Sequence, residues 1–169
     1  MIDRLLTRLD AVNAAIGRTL ALAIFVMIAV IMYEVVARYF FNAPGPWAQD
    51  VSRWLQVAYI FLGGAYALQR GYFVRVDIMF FRLTPRLQAL IDLTVSTALF
   101  ACFAAVIVWK GLEFALQSYR MGEVSATGGW RGPVWPAKFM VPLGMILLTL
   151  AWLGHIARQT LLLLRRDAN

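Results

Sequence analysis

Residues 20 to 41 read LALAIFVMIAVIMYEVVARYFF, an apolar run from Leu20 to Phe41 in which only Glu34 and Arg38 are charged. At 1.5 Å per residue, roughly 22 helical residues reach about 33 Å, enough to cross a bilayer. Asn42-Ala43-Pro44-Gly45-Pro46 then ends the run, because two prolines and a glycine cannot continue a helix. Three more long apolar stretches follow. The chain reads as an all-α integral membrane bundle of four transmembrane helices over 19–41, 47–69, 85–119 and 135–165. A segment over 1–18 precedes them, a connector over 70–84 joins the second to the third, and a loop over 120–134 joins the third to the fourth.

Composition agrees with that reading. Of 169 residues, 62% are hydrophobic and 15% charged, against about 45–50% and 25% in soluble domains. So much apolar surface, gathered into runs instead of short periodic stripes, needs lipid around it. The net charge of +7 would suit nucleic acid if it formed a stripe. The basic residues instead flank the apolar runs, which argues for membrane anchors and against nucleic-acid binding. Cys102 is the only cysteine and His155 the only histidine, so the chain offers no clustered His/Cys set for a metal or redox site, a haem held by two of its own histidines is excluded by count, and no cofactor is expected. Phosphate loops and nucleophile elbows are absent, and no enzyme activity is expected. Arg4 and Arg8 ahead of an apolar run resemble a signal peptide, but the run is too long and lacks a small-residue cleavage site, so it is expected to be retained.

Local signals place the helix ends. Thr84-Pro85 and Trp135-Pro136 put proline at a first helical position, where its missing N–H costs nothing. Pro142 lies inside the fourth helix and is expected to kink it. Ile2, Leu5, Leu6, Leu9 and Val12 recur at helical spacing among Asp3, Arg4, Arg8 and Asp10, the pattern of an interfacial amphipathic helix. Phe73 to Leu83, apolar around Arg75, Asp77 and Arg82, is too short and too charged to span and suits half-immersion. Asp92 is expected near enough to that same interface to stay hydrated.

Four charges stand near one membrane surface. Glu34 and Arg38 are one turn apart with the acid N-terminal, the favourable order for an ion pair. Asp50 and Arg53 open the second helix, where a carboxylate complements the helix dipole. Ionisable residues at membrane depth are candidates for proton transfer or anion binding. Here the signs balance and Arg38 can snorkel, which favours a structural clasp between the first two helices. Gly63 and Ala67, four apart on one face of the second helix, are candidates for a close helix contact with a partner subunit. Arg120, Glu123, Trp130 and Arg131 in the 120–134 loop are candidates for contact with a soluble partner.

Three stretches in order, Tyr33-Glu34-Val35-Val36-Ala37-Arg38-Tyr39-Phe40, Pro46-Trp47-Ala48-Gln49-Asp50 and Gly63-Gly64-Ala65-Tyr66, resemble the small membrane (Q-type) subunit of TRAP transporters, the tripartite ATP-independent periplasmic transporters. The resemblance continues through Arg70 to Asp77, Trp135-Pro136-Ala137-Lys138 and Val141-Pro142-Leu143-Gly144, and covers nearly the whole chain. Asp50 stands where a glutamate is common in that family and Phe73 where a histidine is common, which changes polar detail and not architecture. The resemblance implies a bacterial inner-membrane complex in which a periplasmic binding protein delivers an organic acid to a two-subunit, sodium-coupled permease. The large subunit would hold the substrate and sodium sites, and the small one would brace it and help receive the binding protein. A self-sufficient homodimeric four-helix exporter using Glu34 as its coupling carboxylate is the rival reading, against which Arg38 one turn away argues. A membrane anchor for a redox enzyme is weakened by the single histidine.

Orientation follows from the basic residues. Arg4, Arg8, Arg18, Arg70, Arg75, Arg82, Arg86, Arg158, Arg165 and Arg166 make ten on one side; Arg38, Arg53, Lys110, Arg120, Arg131 and Lys138 make six on the other. The positive-inside rule then puts both termini in the cytoplasm. Cysteine labelling or reporter fusions should find the N-terminus, the Arg70 to Arg86 segment and the C-terminus cytoplasmic. Periplasmic labelling at Arg75 would refute this topology.

Overall fold

A computed structural model describes residues 2–71, 84–126 and 130–167. The Phe73 to Leu83 segment and the side chains of Ile2, Leu5, Leu6, Leu9 and Asp92 lie outside what it describes. Helix α1 covers Ile2–Phe40, α2 Ala48–Gln69, α3 Pro85–Ile91, α4 Thr97–Arg120 and α5 Trp135–Asp167. A π-helical turn over Asp92–Ser96 joins α3 to α4 without a gap, so the described residues form four helical rods. They contain no strand, only an isolated bridge between Val124 and Pro133.

The 39 residues of α1 make a rod of roughly 58 Å, well beyond a bilayer's hydrocarbon thickness. No helix boundary falls at residues 18 and 19, where the sequence reading separates an amphipathic segment from the first span. Nothing in that stretch stops a helix. Gly17 is a single interior glycine, and its bare backbone faces the ring of Tyr66 on α2 so closely that an added Cβ would collide with it. The rod ends at Asn42, whose left-handed backbone (φ 48°) turns the chain while the Ala43 N–H donates to the Ala37 carbonyl at 3.0 Å.

Burial is inverted relative to a soluble protein. The buried positions are mostly small: Ala37, Ala48, Ala58, Ala65, Ala104 and Ala115. Large apolar side chains point out, with Phe25 71% and Phe40 81% exposed. Exposed phenylalanine outside and alanine inside is what lipid as solvent demands, since helices there gain by close packing and not by expelling water. The helices are arranged in the order α1, α2, α5, α4, with α2 packed against α1 and α5, and α5 packed also against α4. Glycines line every seam. Gly63 has Leu20 of α1 at 3.9 Å, Gly64 has Leu148 of α5 at 4.0 Å, and Gly111 of α4 lies 3.4 Å from Pro142 of α5, distances measured from an added Cβ. At Gly144 of α5 an added Cβ would collide with the backbone carbonyl of Phe61 on α2. Pro142 is fully buried at the α4 seam, and α5 stays helical through it.

Three helices are long and apolar enough to span by length and composition: Asp10–Phe40, Leu93–Arg120 and Trp135–Arg158. Helix α2 has the length, 22 residues or about 33 Å, but a more polar composition. Its ends lie level with parts of its neighbours, so it runs along the same length of the bundle. Near its start Asp50 meets Ser125 of the loop between α4 and α5, and at its end Gln69 meets Asp10 of α1. Its polar residues are tolerated because neighbouring helices and loops supply partners.

The close approach at Gly144 generates a contrast. Gly144→Ala should lower stability in detergent by about 1–3 kcal/mol, because the methyl meets backbone that cannot rotate away. Gly64→Ala, with room at 4.0 Å, should be neutral or gain up to about 1 kcal/mol from helix propensity. Thermal unfolding followed by size-exclusion chromatography measures both.

Candidate functional site

Among the described residues most polar side chains that interact across elements gather at the two ends of the bundle, while Trp152 of α5 donates to the Thr97 hydroxyl of α4 at 3.3 Å between them. At the end that carries the loops 41–47 and 121–134, Glu34 sits in the last turns of α1 with both carboxylate oxygens engaged. Its Oε1 accepts from Arg38 at 2.5 Å and its Oε2 accepts the Gly45 N–H at 2.8 Å. Tyr33 stacks on Trp47 at 5.5 Å between ring centroids, so the loop from Phe41 to Trp47 is held to α1 by a ring and a carboxylate. The side chain of Glu34 is largely buried and that of Arg38 half exposed, the arrangement of a snorkelling cation over a shielded acid.

Asp50 is buried in the first turn of α2, and its Oδ1 accepts from the Ser125 hydroxyl at 2.7 Å. Arg53 approaches the same oxygen only to 4.0 Å. The four charges therefore do not form one cluster. Each pair lies within its own helix, and the links between elements run from Glu34 to a backbone N–H and from Asp50 to a loop serine. Glu34, Arg38 and Arg53 share a cleft between α1 and α2, while Asp50 reaches the loop.

The described residues of that loop are folded. The left-handed Gly122 (φ 60°) ends α4 and directs the Glu123 N–H back to the Ser118 carbonyl at 3.0 Å. The Ser125 N–H donates to the Gly132 carbonyl and the Val134 N–H to the Glu123 carbonyl. Trp130 lies over Gly132 and tilts against Trp54 of α2 at 5.7 Å. The Glu123 carboxylate pairs with Lys138, whose ammonium also stands 3.8 Å from the centre of the Phe114 ring. The Lys138 ammonium holds the exposed Glu123 carboxyl below its ordinary range. Of the loop candidates, Glu123 and Trp130 thus make contacts within the chain, while Arg120 and Arg131 are exposed. Gly63 and Ala67 stay half-buried on α2.

The opposite end has a tie that no local pattern announces. Arg158 of α5 donates to both oxygens of Asp10 on α1, at 2.7 and 2.6 Å, across 148 positions. Gln69 of α2 donates to the Asp10 carbonyl at 3.2 Å. Asn13 and His155 line the small cleft beside them. A partly exposed pair of this kind contributes only about 0–1 kcal/mol, but it fixes three helices at one level. Lys138 and Ser125 were likewise missed as partners, since one counted only as a charge and the other as a loop residue. Among the described residues no three His, Cys, Asp or Glu come together as a metal site.

The geometry at Glu34 generates a test. Arg38→Gln should reduce expression or assembly, because a largely buried carboxylate loses its cation, and Glu34→Gln with Arg38→Gln should recover part of the loss. Glu34→Gln alone keeps an oxygen for the Gly45 N–H and should be mild. Full assembly with transport abolished in Glu34→Gln would instead assign Glu34 a coupling role.

No curated protein matches the chain. The family model described as "Tripartite ATP-independent periplasmic transporters, DctQ component" matches residues 27–162, from the middle of α1 to near the end of α5. That span takes in both charge pairs, the folded loop and the glycine seams with α5, and the chain belongs to the DctQ family, the small membrane component of TRAP transporters.

Proposed function

We propose that this chain is the non-catalytic small permease subunit of a sodium-coupled transporter that takes up organic acids from a periplasmic binding protein. It would brace the large transport subunit and help to dock the binding protein. The observation that carries this reading is that Glu34, the charge best placed for coupling, has both oxygens occupied in holding a loop. Asp50 is committed to the loop through Ser125, and Glu123 to Lys138. Between the two ends the packed positions are mainly glycine, alanine and larger apolar residues, which suits a prop better than a path for solute.

The homodimeric exporter with Glu34 as coupling carboxylate is the second reading, and the engagement of Glu34 weighs against it. In the orientation inferred from basic residues, the loop-bearing end faces the periplasm of a bacterial inner membrane and both termini face the cytoplasm. Arg120 and Arg131, exposed there, are available to the binding protein, with Glu123 and Trp130 fixing the loop that presents them. Part of the large subunit's contact would lie at Gly63 and Ala67, where only Leu20 comes within 4 Å of a Cβ added at Gly63.

Reconstitution into liposomes with a sodium gradient and a matching binding protein tests the reading. The chain alone should neither bind nor take up an organic acid, and it should co-purify with a much larger membrane subunit whose presence restores uptake. Uptake without the large subunit would make this chain a transporter in its own right.

A further inference from the structure

Asp10 and Asn13 stand three positions apart on α1, and His155 and Arg158 three apart on α5, so each helix brings its two polar side chains to one face. Gln69, the last residue of α2, joins them in lining a cleft of about 30 Å³ where the three helices meet. Asn13 is only 5% exposed. A buried amide in a membrane bundle needs partners for its donor and its acceptor alike. Gln69 raises the same demand. Its Nε2 donates to the Asp10 carbonyl at 3.2 Å, which fixes the direction of the amide, because the flipped amide would set oxygen against oxygen. The Oε1 is thereby left buried with no hydrogen-bond partner among the described residues. An acceptor so placed costs stability unless something donates to it.

Size and charge select the donor. A space of about 30 Å³ exceeds the roughly 10–15 Å³ that a water molecule needs and falls far short of an organic ligand's. A metal cation would look for carboxylate oxygens, but both oxygens of Asp10 accept from Arg158. An anion would look for that guanidinium, which the same carboxylate neutralises, and would meet Gln69 Oε1 as one more acceptor. Water donates and accepts at once. We propose that this cleft holds one ordered water molecule that donates to Gln69 Oε1 and bridges it to the Asn13 amide, with His155 and Arg158 on its far wall. The junction of α1, α2 and α5 is then wet, and the water supplies the hydrogen bond that the Asp10, Gln69 and Arg158 contacts leave unmade.

The test uses the full chain, crystallised from a lipidic mesophase and, separately, unfolded by heat in neutral detergent. Density for one water should lie about 2.7–3.2 Å from both Gln69 Oε1 and the Asn13 amide. Ala151→Val, which adds methyl groups at the wall of the cleft, should remove that density and lower the unfolding temperature by roughly 2–10 °C, as a buried acceptor loses its donor. Overpacking alone would also lower it, and a second variant separates the two causes. Gln69→Met removes the orphaned acceptor, so the variant carrying both changes should lose clearly less than the sum of the single losses. Strictly additive losses, or a cleft without water density in the parent protein, would overturn the proposal. So would a peak ringed by oxygens at distances shorter than hydrogen bonds, or an unfolding temperature higher in sodium chloride than in equal choline chloride, each the mark of a cation site.

Discussion

A Cβ on Gly144 would collide with the carbonyl of Phe61, and that closeness of α5 to α2 is the constraint on which the bundle depends. In lipid there is no water to expel from between helices, so attraction grows only as backbones approach and dispersion contacts accumulate. A glycine at the crossing permits the approach. Pro142, two residues before Gly144 and so on the other side of α5, then packs on Gly111 of α4, and Gly64 admits Leu148. Because α5 is held on both sides, α2 is fixed in the middle of the arrangement, and a helix carrying Asp50, Arg53 and Gln69 can cross the membrane without leaving those groups to lipid.

Close packing at the centre makes the ends matter. Seams of small residues resist separation but resist sliding or rotation less well, because glycine and alanine interlock poorly. Fixed polar ties at both ends supply the missing registration. Asp10, Arg158 and Gln69 join α1, α2 and α5 at one level. At the other, Glu34 holds the first loop and Asp50 holds the second. Their individual contributions are small where they are exposed, so their effect is on geometry more than on total stability.

The sequence disclosed features that depend on neighbours within a few residues. The run from Leu20 to Phe41, the proline starts at Pro85 and Pro136, and the one-turn spacing of Glu34 and Arg38 are all local, and each can be read from chain physics. Pairings across long separations left no such trace. Asp10 and Arg158 stand 148 positions apart, and Asp50 and Ser125 stand 75 apart. That the segment before Thr19 and the first span form one continuous helix was not legible either, because a charged stretch limits a membrane span without marking whether the helix goes on through it. The π turn at Asp92–Ser96 was equally hidden, since no proline or glycine marks it.

The manner in which Glu34 is held bears on whether this end can move. A carboxylate that couples ions must exchange partners, and the exchange is easy when its partners are water or mobile side chains. Glu34 instead accepts from a backbone N–H flanked by Pro44 and Pro46, in a loop further fastened by the Tyr33 and Trp47 rings. Releasing that bond means displacing the whole connection between α1 and α2, and with it the start of α2 that Asp50 ties to the second loop. A charge embedded in this way transmits position from one loop to the other. That property is what the proposed bracing role would ask of this chain.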